Sequence, residues 1–472
     1  MSGAGIRRAA TLVALTATLA TMASCVTRRV RDPGPPTITF PPSAPAAPSV
    51  PVPRDTARRV EAPPDLPPGL APAVPMDGFF DVRVALATAA QAAPLTATGS
   101  WRMYDDADGV LIRGRANEQW TVERRGAQLR ARTRTGQATP WVAGTVVLRP
   151  DAESHFVLFA GRRYRGAVRV APTDTGIVVV NVLGVEEYLR GVVPLEIGAA
   201  RPPSEQAAVE AQAIAARSYT WVRLEAVRNN GRAGTHDLVA TVNDQVYGGV
   251  DAEREGTDQA VRATAGLVLR FGGRVVDAPY SSSCGGESAA PDEVWRAGSS
   301  SYLRRVSDRV PGSPDRYYCD IAPRFSWTRE FTSAELDAAV RNYLRNYSNA
   351  PAEGPGRVRG FSVESRTPSG RVGSSAFLTE RGSFSVRGND IRHVLRAVGG
   401  EILNSTYFSV NTETARDGSL ARLVVRGNGY GHGVGMCQWG AIGRARAGQT
   451  ARSILAAYYP GTSVGPASGA AR

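Results

Sequence analysis

Lysine is missing from this chain: all 56 basic residues among its 472 are arginine. The formal net charge of +13 would suit a nucleic-acid partner. However, the arginines are scattered, and no basic run is interleaved with aromatic residues, so we predict no nucleic-acid partner. Two explanations of the charge stay open, an acidic polymer as the partner and a base-composition bias toward arginine.

Cysteine and histidine are scarce, with four residues of each. No CxxC pair and no histidine–cysteine cluster with zinc-like spacing occurs, so the sequence predicts no metal site. The glycine-rich stretch GNGYGHGVGMCQWGA has neither the acidic residue of a dinucleotide fingerprint nor the lysine of a phosphate-binding loop. We therefore predict no cofactor.

A long apolar run is also lacking. Arg7 and Arg8 precede AATLVALTATLATM, which is too short and too rich in threonine for a membrane span but is typical of a secretory signal. We predict a signal peptide over residues 1–25 and a secreted, periplasmic or cell-envelope location. The ending MASC resembles a lipoprotein box with Met22 in place of leucine. Lipidation of Cys25, which would anchor the protein to a membrane, and ordinary cleavage nearby both stay open.

Export places the other three cysteines in an oxidising compartment. A Cys284–Cys319 disulfide is then the economical pairing, and it leaves Cys437 free and buried. Between the signal and the first strand, residues 26–77 are rich in proline and alanine. Such a segment cannot bury enough apolar surface to offset its ordering entropy, so it predicts a disordered, extended tether.

Residues 78–465 predict an α+β domain in which strand-rich lobes pack around an alanine-rich helix. Over 78–182, apolar and polar residues alternate between turn signals such as DDADG and TDTG, which indicates antiparallel strands. The core over 183–465 contains the helices and a second strand-rich segment near 355–425. Within this core, the dipeptide at 272–273 predicts a hairpin turn. The stretch TSAELDAAVRNYL predicts a helix with Thr332 and Glu335 in capping-box spacing.

Two helices lead to the residues with candidate chemistry. EEYLRGVV predicts a short helix that contains a Glu186–Arg190 pair and ends at Pro194. PPSEQAAVEAQAIAARSYTWVRLEAVRNNG predicts a long helix, because it opens on prolines, is rich in alanine and stops at Asn-Asn-Gly. Helical spacing places one set of residues on its buried face: Val209, Ala213, Ala216, Thr220, Leu224 and Val227.

The carboxylate in GVVPLEIG is the strongest catalytic candidate. Glu196 stands between Leu195 and Ile197, and burial among apolar neighbours would raise its pKa, as a general acid near neutral pH requires. Most glycosidases place a second carboxylate opposite the first. No residue stands at a matching position here, so a site with one carboxylate would need the sugar to supply the nucleophile.

A serine or cysteine nucleophile is the alternative. PYSSSCGGES offers Ser283 and Cys284, and His432 in the glycine-rich stretch could act as the base. The stretch SSSCGG lacks the GxSxG elbow, however, and a disulfide explains Cys284 as well.

Taken together, VNVLGVEEYLRGVVPLEIG, EAQAIAARSY, DQVYGG, APYSSSCGGES, GYGHGVGMCQWGA and ILAAYYPGT resemble the SpoIID/LytB family over most of the chain. Characterised members are lytic transglycosylases that act on peptidoglycan glycan strands, with a preference for strands stripped of stem peptides. LytB members are instead enhancers of a wall amidase. The resemblance implies that Glu196 is the catalytic acid/base and that a muramyl hydroxyl is the nucleophile, giving 1,6-anhydro ends.

The resemblance also implies a set of glycan-binding residues: Gln212, Arg217, Tyr219, Ser282, Ser283, His432 and Gln438. Some sporulation members carry a zinc cluster in the segment that here reads HDLVATVNDQVY. Val239, Asn243 and Asp244 stand where those ligands would fall, which leaves His236 alone and predicts no zinc at this segment.

We therefore expect a peptidoglycan lytic transglycosylase, with glycan strands as the substrate and a cell-wall amidase as a further partner. A non-catalytic wall-binding protein or amidase enhancer, which would not depend on Glu196, is the alternative from another class.

Overall fold

Strands in which buried and more exposed side chains alternate form the N-terminal part of the domain. The computed structural model describes residues 28–29, 81–231 and 234–467. The predicted signal peptide at 1–25, the lipidation candidate Cys25 and almost all of the predicted tether lie outside the described residues. The α+β class is confirmed, because the chain combines eight α-helices with many short strands in the part that the structure describes.

Two sheets form from the N-terminal strands. Their bounds are β2 (Asp81–Ala90), β3 (Ala92–Ala97), β4 (Trp101–Tyr104), β5 (Val110–Gly114), β6 (Trp120–Arg125), β7 (Gln128–Arg132), β8 (Val142–Ala143), β9 (Val146–Pro150), β10 (Val157–Phe159), β11 (Arg162–Tyr164), β12 (Ala167–Pro172), β13 (Ile177–Gly184) and β14 (Leu238–Val239). One sheet has the order β14-β2-β13-β12-β9-β4-β5 and the other β11-β10-β3-β6-β7-β8. Their inward side chains, such as Val122 and Leu148, are fully buried in one hydrophobic cluster with the helices.

The first of eight helices in the described part of the chain follows directly on β13. They are α1 (Val185–Ile197), α2 (Gln206–Asn229), α3 (Glu255–Ala263), α4 (Pro291–Val294), α5 (Ser333–Tyr343), α6 (Asp390–Val394), α7 (Gln438–Arg446) and α8 (Ala451–Tyr458). Helix α2 packs against α1, α3, α7 and α8. Its alanines make this possible, since Ala208, Ala211 and Ala215 are buried outside the predicted apolar face and let neighbours approach closely on several sides.

Helix α1 differs from its prediction in two ways. It continues through the buried Pro194 to Ile197 and ends at Gly198, which has φ +100°. Proline removes one backbone donor from a helix, and here the surrounding packing tolerates that loss. The predicted Glu186–Arg190 pair is also wrong.

Both charged residues of that pair contact other elements. Glu186 accepts from Arg217 of α2, while Arg190 pairs with Glu253 and Asp258. Tertiary partners that are buried and well aligned have replaced the local pair, which contributes only about 0.2–0.5 kcal/mol in an isolated helix.

The remaining strands complete the core and form a second lobe. They are β15 (Leu267–Phe271), β16 (Arg274–Val275), β17 (Tyr280–Ser281), β18 (Ser326–Thr332), β19 (Val358–Arg366), β20 (Val372–Thr379), β21 (Gly382–Arg387), β22 (Phe408–Thr414), β23 (Leu420–Asn428), β24 (Met436–Cys437) and β25 (Ser463–Pro466), with a two-residue β1 (Arg28–Arg29). Sheets β1-β22-β23-β18 and β19-β20-β21 belong to the second lobe, which has its own hydrophobic cluster. This lobe begins at β18, earlier than the predicted strand-rich segment near 355–425.

Two local predictions match the structure. Gly272 and Gly273 turn the chain between β15 and β16, both with positive φ as a tight hairpin requires. Thr332 caps α5 by accepting from the backbone N–H of Glu335, whose carboxylate accepts from Thr332 in return. Among the described residues, no helix is long and apolar enough to cross a membrane.

Candidate functional site

Glu196 lies in the last turn of α1, where the helix meets the surface. Its neighbour Ile197 is buried, whereas Leu195 is 45% exposed, so the carboxylate is partly buried beside an apolar surface residue. Arg201 closes this end of the helix by donating to the Ile197 carbonyl over 2.6 Å. The Arg201 guanidinium also stacks over the ring of Trp439 in α7, which brings α1 and α7 together around Glu196.

The surroundings of Glu196 favour its protonated form. Burial raises the pKa of Glu196, against a hydrogen bond from the backbone N–H of Val246 and one from the side chain of Gln438, which both lower it. The Val246 N–H donates to Oε1 over 3.1 Å. The net shift is upward. A carboxylic acid with a raised pKa that is held in place by amide donors suits the role of a general acid near neutral pH.

Gln212 and Gln438 meet beside this carboxylate. The side chain of Gln438 donates to Oε1 of Gln212 over 3.3 Å, and both residues are buried. The Nε2 of Gln212 is also buried, and it has no hydrogen-bond partner among the described residues. Two residues predicted separately as glycan-binding are therefore brought together with Glu196, and one donor of Gln212 stays available there.

Gln245 lies buried beneath the site, and the sequence analysis did not predict it. It is 1% exposed, and its Oε1 accepts from Tyr188 and Thr220 while its Nε2 donates to the hydroxyl of Tyr280 over 2.9 Å. Burial raises the pKa of Tyr280 well above its ordinary value, and the charge of Glu196 is the next contribution. Gln245 thus holds Tyr280 in place, and the charge of Glu196 contributes to the raised pKa of this tyrosine. The stretch DQVYGG was the available signal.

Tyr219 lies at the edge of this group. Its hydroxyl donates to Asp244 over 3.3 Å, and the guanidinium of Arg223 lies 3.1 Å from the ring centroid. Burial is the main cause that raises the pKa of Tyr219 to about 12, so its hydroxyl is protonated at any physiological pH. The side chain is partly exposed, which is compatible with the predicted contact to glycan.

Arg217 lies in the core, and the expectation that it binds glycan is corrected. The side chain is 0% exposed, and its Nε and Nη2 donate to the two carboxylate oxygens of Glu186 over 2.8 and 2.7 Å. Its Nη1 donates to the Leu267 carbonyl. All three nitrogens are engaged, so Arg217 joins α1, α2 and β15 instead of facing a ligand.

A short parallel ladder holds together the serine loop, which contains Ser282 and Ser283, and the glycine loop, which contains His432. Strand β17 pairs with β24, Tyr280 opposite Met436 and Ser281 opposite Cys437. The Oγ of Ser281 accepts from the Gly433 N–H. Ser282 is partly exposed, whereas Ser283 is 1% exposed and its hydroxyl has no hydrogen-bond partner among the described residues. Of the predicted serines, Ser282 is the accessible one.

His432 is held as a neutral ring. Its Nδ1 accepts from the Val434 N–H over 3.0 Å, and the ring lies against Trp295 with centroids 5.0 Å apart. Burial and the charge of Arg392 lower the pKa of His432 to about 3, although a backbone hydrogen bond to Tyr280 opposes the shift. A ring with both nitrogens engaged has no free lone pair to take a proton, so the Ser283 or Cys284 nucleophile loses its predicted base.

The predicted Cys284–Cys319 disulfide is also corrected. Both residues are free thiols, and their sulfurs lie 3.6 Å apart, well beyond the ~2.0 Å of a disulfide bond. Cys437 is buried as predicted, but it lies with the other two cysteines instead of apart from them. Nothing in the spacing of the cysteines predicted this third contact.

The zinc cluster of some sporulation relatives does not fit this chain. Val239 offers no ligand atom, and both carboxylate oxygens of Asp244 are engaged, by Tyr219 and by the Val239 N–H. His236 contacts Thr235 over 3.0 Å. We derive no chemistry from a metal at this segment.

Two surface cavities lie elsewhere. One of about 570 Å³ is lined by residues 292–297 and by parts of β19, β20 and β21. The other, of about 660 Å³, is lined by N-terminal strands and loops, for example by Arg169 of β12 and Asp106 of the loop after β4. Glu196 lines neither cavity. The candidate site is therefore identified by the raised pKa and the hydrogen bonds of Glu196, and not by a deep cavity.

Comparison with known proteins gives matches to two family descriptions and to several relatives. Residues 173–271 match the family described as Stage II sporulation protein (SpoIID). The chain is 28% identical over 300 residues to Stage II sporulation protein D of Bacillus subtilis, covering 61% of this chain and 76% of that protein. It is 30% identical over 308 residues to the Amidase enhancer of the same organism, covering 58% of this chain and 40% of that protein.

These matches support the assignment of the chain to the SpoIID/LytB family. An uncharacterised protein of Brachyspira hyodysenteriae is a further relative, 28% identical over 306 residues and matched over 64% of this chain and 73% of its own length. The match with the amidase enhancer spans less than half of that relative. Residues 315–435, which include most of the second lobe, match a domain of unknown function, DUF8618.

The SpoIID match contains one half of the candidate site. Glu196, Gln212 and Gln245 fall within residues 173–271, whereas Gln438 and His432 lie far beyond its end. The glycine loop and α7 therefore complete, from the C-terminal end of the chain, a site whose carboxylate belongs to the SpoIID segment.

Proposed function

We propose that this protein is a peptidoglycan lytic transglycosylase in which Glu196 is the single acid/base. The observation that carries the proposal is the raised pKa of Glu196 beside hydrogen-bond donors from Val246 and Gln438. The family assignment and the amidase-enhancer relative support a cell-wall-related role, and with it a position outside the cytoplasm.

The reaction needs one carboxyl group used twice. Protonated Glu196 gives its proton to the glycosidic oxygen between N-acetylmuramic acid and N-acetylglucosamine, and the bond from C1 to that oxygen breaks. The resulting carboxylate then takes the proton of the muramyl C6 hydroxyl, whose oxygen forms a new bond to C1. The product is a 1,6-anhydro end, and Glu196 is protonated again. No second carboxylate is required, because the attacking oxygen belongs to the substrate.

The surrounding residues would serve binding and positioning. The hydroxyls of Tyr219 and Ser282 are polar groups at accessible positions, and Gln212 offers a donor that no described residue engages. Gln438 donates toward Glu196 and would stabilise the carboxylate formed after proton transfer. Hydrogen bonds of this kind keep a general acid in its reactive orientation.

Digestion of purified, peptide-free glycan strands followed by mass spectrometry tests the proposal. We expect wild type to release anhydro-muramyl ends and Glu196→Gln to be slower by about 100-fold or more. Glu210→Gln is the matched control, because burial raises the pKa of this other part-buried carboxylate too. Reducing ends as products, or full activity in Glu196→Gln, would contradict the mechanism.

An amidase enhancer is the second candidate, favoured by the relative that bears this name. In that case a cell-wall amidase is the partner, and Glu196→Gln should stimulate it as well as wild type does. Stimulation by both variants together with no anhydro product from wild type would favour the enhancer. In either role glycan strands are the proposed ligand, and membrane attachment would follow only from acylation of Cys25.

A further inference from the structure

Four ligand-bearing side chains meet in the core behind the glycine loop. The sulfurs of Cys284, Cys319 and Cys437 and a carboxylate oxygen of Asp308 all lie within 4.8 Å of one another. These residues come from three separate segments: the serine loop, the stretch 308–319 and the residue before α7. Each is at most 1% exposed. A metal ion was not expected from the sequence, because no two of these residues have a motif spacing.

Two separations between ligand atoms in this cluster are close to those around a tetrahedrally coordinated ion. The Cys284 sulfur lies 3.6 Å from the Cys319 sulfur and 3.8 Å from Oδ2 of Asp308. Zinc bonds of about 2.3 Å to sulfur and about 2.0 Å to oxygen give tetrahedral edges of about 3.8 Å between sulfurs and about 3.5 Å from sulfur to oxygen. The two observed separations are close to these edges.

Asp308 divides its two oxygens between different partners. Oδ1 accepts from the Tyr458 hydroxyl over 2.7 Å and from Arg444, which also forms an ion pair with it. Oδ2 is turned to the cysteines. Metal-binding groups are commonly oriented in this way by outer hydrogen bonds. Arg444 pairs with Oδ1, and a cation between Oδ2 and the sulfurs would give the second oxygen a partner of opposite charge as well.

The Cys437 sulfur has the environment of a thiolate. It caps the N-terminus of α7 and accepts from the backbone N–H groups of Cys284 and Gly440 over 3.2 and 3.3 Å. Amide donors and a helix N-terminus both stabilise negative sulfur. Position 440 must be glycine for this approach, since a Cβ there would come within 2.1 Å of Oδ2 of Asp308 and of the Tyr458 hydroxyl.

We propose that Cys284, Asp308, Cys319 and Cys437 bind one zinc ion as a closed, structural site. Three soft sulfurs with one oxygen in a four-ligand set select zinc over harder cations such as Mg²⁺ or Ca²⁺. The ion binds the serine loop and the start of α7 to each other. Since α7 begins at Gln438, the ion also fixes the residue that donates toward Glu196.

Metal analysis of the untagged, folded chain is the first test. We expect zinc in equimolar amount by plasma mass spectrometry. After exchange, Co²⁺ alone should give the intense near-ultraviolet charge-transfer absorption of thiolate ligands. Asp308→Asn and Cys319→Ser should lose most of this binding.

Two matched tyrosine variants distinguish a loss of metal binding from a general loss of folding. Tyr458→Phe removes the hydroxyl that orients Asp308 and should weaken Zn²⁺ binding by about 10-fold or more. Tyr459→Phe removes a hydroxyl that is equally buried but bonded to Pro279 and Met436, and it should leave the affinity unchanged.

Two results would overturn the zinc site. One is a reduced, folded wild-type chain that retains no zinc and shows no cobalt charge-transfer band. The other is a Cys284–Cys319 or other disulfide among these cysteines, found by non-reducing peptide mapping of the exported protein. Neither result bears on the glycan digestion, so the site and the proposed reaction fail separately.

Discussion

At the scale of single residues, the burial that suits Glu196 to the proposed chemistry also lowers the stability of the folded protein when this carboxylate is ionised. Its folded-state pKa is raised, mainly by burial, whereas an unfolded glutamate titrates near 4.3. Its contribution to stability is therefore complete below the unfolded pKa and is lost as pH rises through the folded pKa. A general acid with this raised pKa is protonated and active below it, and activity falls as pH rises through it.

We accordingly predict that Glu196→Gln raises the free energy of unfolding at neutral pH and leaves it unchanged in acid below about pH 4. Urea melts of both proteins across this range measure the difference. In the glycan digestion, kcat/KM of wild type should fall on the alkaline side. A variant that is no more stable than wild type at neutral pH would show that burial does not penalise the carboxylate.

His432 gives a prediction of opposite sign. Its folded pKa is lowered to about 3 and its unfolded value is near 6.5, so its contribution is complete above about pH 6.5 and is lost as pH falls toward the folded value. The histidine C–H signals of His432 should not titrate between about pH 5 and 8. His432→Gln should make the acid loss of stability shallower. His236→Gln removes a partly exposed imidazole and controls for the substitution itself.

At the scale of elements, Arg217 determines how α1 lies on α2. We predict that Arg217→Met lowers the free energy of unfolding by about 3 kcal/mol, because Glu186 then loses its buried partner. Arg262→Met breaks an ion pair whose side chains are 55% and 84% exposed, and it should cost less than about 1 kcal/mol. Thermal melts with glycan sedimentation check this. Loss of sedimentation in an Arg217 variant of normal stability would restore the glycan-binding role.

Local rules predicted the elements better than the site. The capping box of α5 and the glycine turn between β15 and β16 depend on neighbours in sequence, and both were found. Pro194 was misread because tertiary packing outweighs the single hydrogen bond that a proline removes. The role of Gln245 and the meeting of Cys284 with Cys437 depend on contacts between distant segments, which no local pattern encodes.

At the scale of the whole molecule, two hydrophobic clusters are separate. Leu148 belongs to the cluster of the N-terminal sheets and helices, and Phe377 to that of the second lobe, each 0% exposed. Separate cores need not unfold in one step. We predict that calorimetry resolves two transitions, and that Leu148→Ala and Phe377→Ala, each costing about 2–5 kcal/mol, lower different ones. A single transition shifted equally by both variants would show one cooperative unit.

The contact between Gln212 and Gln438 joins residues 226 positions apart. A chain emerges from the ribosome in order, so α1 and α2 are made long before α7. Closing so long a loop is slow compared with forming local structure. Gln438 therefore reaches Glu196 only after the C-terminal helices have docked. The order of synthesis therefore delays the site. Glu196 is made early, whereas the contacts proposed to suit it for catalysis are the last to form.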